Sequence, residues 1–194
     1  TAAVLDATFD YRTYYNRQRP GGTPPMVDPS SNLQALLLKV MGGLSGLITS
    51  RISTLLMVGG GGDWGGSNAA TFLAQAEVAY LGSEFTVRGG YLRTLNPVPV
   101  FGTFGQDRGY LEAKATLIGR VSLRGFGSFD YITYYSNAGR NDYIVSAIAE
   151  VAVQIVSFFS ASVSYTLSYR GSTDPFAGIN FLRHEPAILL TLTY

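Results

Sequence analysis

Between Ser160 and Tyr169 every second side chain is apolar or aromatic: Ala161, Val163, Tyr165, Leu167 and Tyr169 alternate with Ser160, Ser162, Ser164, Thr166 and Ser168. A strand turns this spacing into one oily and one wet face, because its side chains point alternately to opposite sides. A helix of period 3.6 would scatter the same residues around its axis. The pattern recurs along nearly the whole chain. Leu5, Ala7, Phe9, Tyr11 and Tyr15 alternate with Asp6, Thr8, Asp10, Arg12 and Asn16, and Ala70, Phe72, Ala74, Ala76, Val78 and Tyr80 oppose Gln75 and Glu77. Leu111, Ala113, Ala115 and Leu117 oppose Glu112, Lys114 and Thr116, and Tyr143 to Ile155 repeat the arrangement against Ser146, Glu150 and Gln154.

Alternation explains an otherwise awkward composition. The 194 residues are 46% hydrophobic and only 14% charged, where a soluble domain has about a quarter of its residues charged. Yet the longest apolar runs, such as Leu55 to Val58 and Ile188 to Leu190, fall far short of the roughly 18 residues a membrane helix needs. Hydrophobicity spread thinly by alternation is what a lipid-facing β-barrel shows. The net charge of +1, without a Lys/Arg cluster, gives no nucleic-acid footprint. The absence of cysteine excludes a disulfide framework and Cys-based metal sites. The alternating pattern starts directly at Thr1, so a signal peptide, if one existed, has been removed from this numbering.

Punctuation divides the pattern into about ten strands. Pro20, Gly21, Gly22, Pro24, Pro25 and Pro29 predict a long loop from Arg17 to Ser31, and Gly42-Gly43 a turn between Leu33–Met41 and Leu44–Val58. Long loops are also expected over Gly59–Gly66, Leu95–Gly109, Ser136–Asp142 and Arg170–Glu185, the last strand beginning near Pro186. Tight turns are expected at Gly82-Ser83, Gly119-Arg120 and Ser157–Phe159. An even strand count, with short turns at one end and longer loops at the other, predicts a single domain over 1–194, a closed antiparallel up-and-down transmembrane β-barrel. Tyrosines near strand ends, among them Tyr11, Tyr80, Tyr91, Tyr131, Tyr143 and Tyr165, match an aromatic girdle.

With this pattern the chain resembles the bacterial outer-membrane β-barrel proteins over essentially its full length. The ending Leu190-Thr191-Leu192-Thr193-Tyr194 is similar to that class's assembly signal, which implies that Leu190, Leu192 and Tyr194 are read by the barrel-insertion machinery. A narrower likeness covers Asn141 to Ser172, which resembles the β-barrel porins associated with exopolysaccharide export. The partners implied are outer-membrane lipid, the insertion machinery and other subunits of an envelope complex.

If the oily faces meet lipid, charges on the other faces point into the lumen: Asp6, Asp10, Arg12, Arg51, Glu77, Glu84, Arg88, Glu112, Lys114, Arg124, Asp130 and Glu150. A two-residue turn at Gly82-Ser83 would put Glu77 directly across from Arg88. Opposed charges in a confined interior serve more readily as salt bridges than as a catalytic pair. His184, the only histidine, has no nucleophile or paired acids at a spacing that would make a hydrolase, so it is expected at the surface. Gly59–Gly66 lacks the Gly-Lys-Ser/Thr of a phosphate loop, which leaves Trp64 as an extracellular loop contact. The sequence therefore points to a non-enzymatic envelope component without metal or cofactor, its lumen filled by a charge network. Its alternatives are a narrow passive channel or export-linked porin, an outer-membrane hydrolase, and a soluble ligand-binding barrel, whose oily face would turn inward.

Overall fold

The computed structural model describes residues 1–14, 33–64, 69–98, 102–117, 119–135, 140–173 and 180–192. Ten strands follow one another: β1 (Ala2–Tyr14), β2 (Leu33–Thr49), β3 (Ile52–Asp63), β4 (Ala70–Leu81), β5 (Phe85–Val98), β6 (Gly102–Leu117), β7 (Val121–Tyr134), β8 (Asn141–Val156), β9 (Phe159–Ser172) and β10 (Phe181–Leu192). They lie in one antiparallel sheet in chain order, each paired with its sequence neighbours. The sheet is open: β1 pairs only with β2 and β10 only with β9.

The period-two alternation sorts residues between two faces. One row of directly opposed residues crosses all ten strands as Ala3, Leu44, Leu56, Ala76, Tyr91, Gly109, Phe129, Val145, Tyr169 and Leu182. The row one residue along reads Val4, Gly43, Met57, Gln75, Leu92, Arg108, Asp130, Ile144, Arg170 and Phe181. The first is apolar apart from tyrosine hydroxyls and largely exposed; the second mixes apolar with charged groups and buries Met57 and Asp130. The sheet curls toward the second face, where contacts skip strands: Lys39 of β2 donates to Thr94 of β5 at 3.2 Å. The apolar cluster Leu37, Met41, Met57, Leu73 and Leu95 sits in this concavity, toward the end where the longer connections leave.

Several boundaries differ from the sequence expectation. Gly42 and Gly43 lie inside β2, and the turn is at Ser50-Arg51. Gly43 marks a close approach instead, since a Cβ there would stand 1.9 Å from the Leu56 carbonyl oxygen. Gly59 to Asp63 belongs to β3, and the described residues of Leu95–Gly109 are all strand. β9 reaches Ser172 and β10 starts at Phe181, so Pro186 is interior to β10, opposite Tyr165. An edge strand tolerates that missing N–H. The loop expected over Arg17–Ser31 and the terminal Tyr194 lie outside the described residues.

Candidate functional site

Four buried acids, Glu112, Asp130, Asp142 and Asp63, each gather donors into a separate group; Glu112 and Asp130 are among the charges that the sequence assigns to the lumen, and Asp142 and Asp63 are not. The centre of the largest is Glu112 on β6, only 1% exposed. Register explains why it is bracketed: Arg88 on β5 is its direct opposite, and Arg124 on β7 stands opposite Lys114, two residues further along β6. Arg88 donates to one carboxylate oxygen; Arg124 Nε reaches the other at 2.6 Å and Lys114 Nζ approaches at 3.4 Å. Arg124 continues to Glu150 of β8, its direct opposite, at 3.4 Å. The result is a ladder of alternating sign across four strands, Arg88–Glu112–Arg124–Glu150. The two arginines are about two-fifths exposed, so water shares in solvating the cations while Glu112 depends on them. A recess of about 380 Å³ opens beside Lys114, Arg124 and Glu150.

The second group joins Asp130 of β7 to Arg108 (2.5 Å) and Gln106 (2.6 Å) of β6. The third, at the long-connection end, surrounds the buried Asp142 of β8 with Tyr134 (3.0 Å), Arg140 (3.0 Å) and Arg170 (2.7 Å). Fourth, the buried Asp63 of β3 accepts a hydrogen bond from the buried Thr103 hydroxyl of β6. A buried carboxylate needs such donors, and each of these has them. Among the described residues the opposite face carries the ion pair of Arg93 with Asp107 at 3.0 Å, with the Arg93 guanidinium 4.4 Å from the Phe72 ring centroid.

Of the twelve charged residues expected in the lumen, Arg88, Glu112, Lys114, Arg124 and Glu150 come together. Glu77 does not meet Arg88. The turn is centred on Ser83-Glu84, closed by Gly82 N–H donating to the Phe85 carbonyl at 2.8 Å, so Glu77 stands opposite Gly90 and accepts from the Tyr110 hydroxyl. Moving a hairpin turn by one residue moves the register by two, which preserves the faces and changes the partners. Arg51 and Glu84 are turn residues outside the ladder, Arg51 reaching the Tyr80 hydroxyl at 3.4 Å. Asp6, Asp10 and Arg12 sit on the edge strand β1, where Arg12 pairs with Asp10 at 2.6 Å.

Gln106, Arg108 and Tyr110 escaped the sequence reading because the glycines of 95–109 read as a loop. The signal was present: Gln106, Arg108, Tyr110, Glu112 and Lys114 continue one polar alternation. Leu190 and Leu192 stand exposed on β10, and Trp64, one residue past the end of β3, is exposed. His184 is exposed and its Nδ1 meets the Tyr165 hydroxyl. Among the described residues no three His, Cys, Asp or Glu side chains are grouped to hold a metal ion. No family model, curated protein or solved structure matches the chain.

Proposed function

We propose that this chain is an integral outer-membrane β-barrel protein, a non-enzymatic structural or assembly component of the envelope, whose open sheet closes in the bilayer by pairing β1 with β10. The observation that carries the reading is the convex face. Leu5, Phe9, Leu44, Leu56, Val58, Phe72, Leu111, Phe129, Val163, Ile188 and Leu192 are all exposed on it, far beyond the few hundred Å² of contiguous apolar patch a soluble monomer shows. Strands of 12 to 17 residues exceed the roughly 9 to 11 needed to cross. Aromatic pairs stand toward both strand ends, Tyr80 with Phe85 and Tyr143 with Tyr169, as interfacial girdles do.

The two free edges are complementary in one register above the others. Outward residues must meet outward residues, so candidate registers differ by steps of two. Setting Ile188 opposite Phe9 also sets Leu190 opposite Ala7 and Leu192 opposite Leu5, and on the inner face Arg12 opposite Glu185. Sliding β10 two residues one way sets Asp10 against Glu185 and Arg12 against Arg183, like charges that destabilise. Sliding it the other way leaves Arg12 against Ala187 and Asp10 against Leu189. The row that leaves β1 at Ala3 reaches β10 at Leu182; with Ile188, six residues beyond Leu182, set opposite Phe9, six beyond Ala3, the stagger of this closure is twelve residues. A stagger of that size over ten strands tilts them by about 40°, inside the range of transmembrane barrels.

Membrane partition tests the reading. The full chain is expected in the membrane fraction and folded in detergent, and wild-type protein monodisperse in plain buffer would overturn it. By the likeness of its ending, deleting Tyr194 is expected to lower outer-membrane yield more than the stability of protein already inserted. A narrow passive channel is the second reading, favoured by the recess beside Lys114, Arg124 and Glu150.

A further inference from the structure

Strands β4 and β5 part company before either ends. Their ladder stops at Ala74 opposite Arg93, although β4 continues to Ala70 and β5 to Val98. Below that point β5 is an ordinary wall strand; above it, β5 and β6 leave β4 while β6 stays paired with β7 up to Phe104 opposite Tyr134. Leu95 shows where they go. By alternation it shares the outward face of Tyr91 and Arg93, yet it is 0% exposed and packs in the concave cluster with Leu37, Met41, Met57 and Leu73.

One further contact agrees. Thr103 of β6, which shares the outward face of Gly109 by alternation, donates to the inward-facing Asp63 of β3. The two strands are three spacings apart, about 14 Å along a regular sheet. A direct hydrogen bond from an outward position to an inward one across that interval requires the ends of β5 and β6 to fold inward, laying their outward face on the inner wall of β3 and β4.

We infer that the described ends of β5 and β6, Thr94–Val98 and Gly102–Phe104, act as a plug: they fold inward and seal the mouth of the lumen at the long-connection end, seated by Leu95 and latched by Thr103 on Asp63. The occlusion is apolar and local, set apart from the Glu112 ladder lower in the concavity. Small ions then pass only when the hairpin is withdrawn or removed. This rests on the membrane-barrel reading for its functional half and on the contacts above for its structural half.

The chain has no native cysteine, so one engineered pair reports cleanly. With Asp63→Cys and Thr103→Cys in the full, folded chain, oxidation is expected to join β3 to β6 within one molecule; no bond would overturn the plug, because an upright hairpin keeps the two about 14 Å apart. The second arm is potassium chloride conductance in planar bilayers, comparing wild type, Asp63→Ala, and a chain with Asn96–Thr103 replaced by Asn-Gly. The shortened chain is expected to conduct several-fold more than wild type, with Asp63→Ala between them. Equal conductance in inserted wild-type and shortened protein would overturn the plug even if the cysteines join. Joined cysteines in a chain that stays out of bilayers and in plain buffer would overturn the membrane reading and uphold the folded-in hairpin.

Discussion

The middle of the sheet and its two edges are built from the same kind of residue and reach different states. On β6 and β7, Glu112 and Arg124 each find an opposite charge on a neighbouring strand, and Glu112 is sealed from solvent. On β1 and β10, Arg12 pairs with Asp10 and Arg183 with Glu185, each two residues away on its own strand and largely exposed. The outward residues differ less: Leu5 is 78% exposed and Ile188 75%, and Leu111 in the middle is 59%. Alternation alone therefore makes an oily convex face anywhere in the sheet, whereas a buried polar ladder needs partners on both sides. In these terms the edges are unfinished, and what would finish each of them is the other.

The largest effect expected is on the face both regions share. Val163, flanked by Val151 and Ile188 on the neighbouring strands, is expected to cost about 2 to 4 kcal/mol when replaced by Arg near the bilayer midplane, read as a shift in denaturant unfolding from vesicles. A negligible cost would mean that this face does not meet lipid. Next comes the middle. Glu112→Gln is expected to destabilise by about 2 kcal/mol, reduced from the usual cost of breaking a buried pair because Arg88 and Arg124 reach water. Adding Arg124→Met is expected to recover part of that loss, and additive penalties would break the picture of a coupled ladder.

The smallest effect is at the edges. A double-mutant cycle of Arg12→Gln with Glu185→Gln is expected to give about 0.5 to 1 kcal/mol of coupling in the membrane, as a cross-strand pair does. In a sheet that stays open the coupling would vanish, which would leave the middle and the edges permanently different.

The strand count and the two faces were legible in the sequence because alternation is local and the turns are rich in glycine and serine. Two things were hidden. Glycine reads as a turn whether it turns the chain or allows strands to approach, so Gly43, Gly59–Gly62 and Gly102–Gly109 were assigned to connections while the structure uses them in strands. Cross-strand partners depend on turn position to the residue, so one step at Ser83-Glu84 was enough to move Glu77 from Arg88 to Tyr110. Asp63, Thr103 and Leu95 were illegible for a different reason: they come together where β5 parts from β4 while β6 stays on β7, and no periodicity records that. The proposed closure of β1 on β10 would likewise be non-local, and its register can be argued only once the rows across the sheet have fixed which residues face outward.

That closure is tested most directly by a cysteine scan across the two edges of membrane-inserted protein, pairing Ala7→Cys in turn with cysteine at Ile188, Leu190 and Leu192. Intramolecular cross-linking is expected to be strongest for Ala7→Cys with Leu190→Cys and weaker for the pairs two residues either side. A maximum at Ile188 or Leu192 would move the register of closure, and the absence of any intramolecular bond in inserted protein would contradict the closed barrel itself.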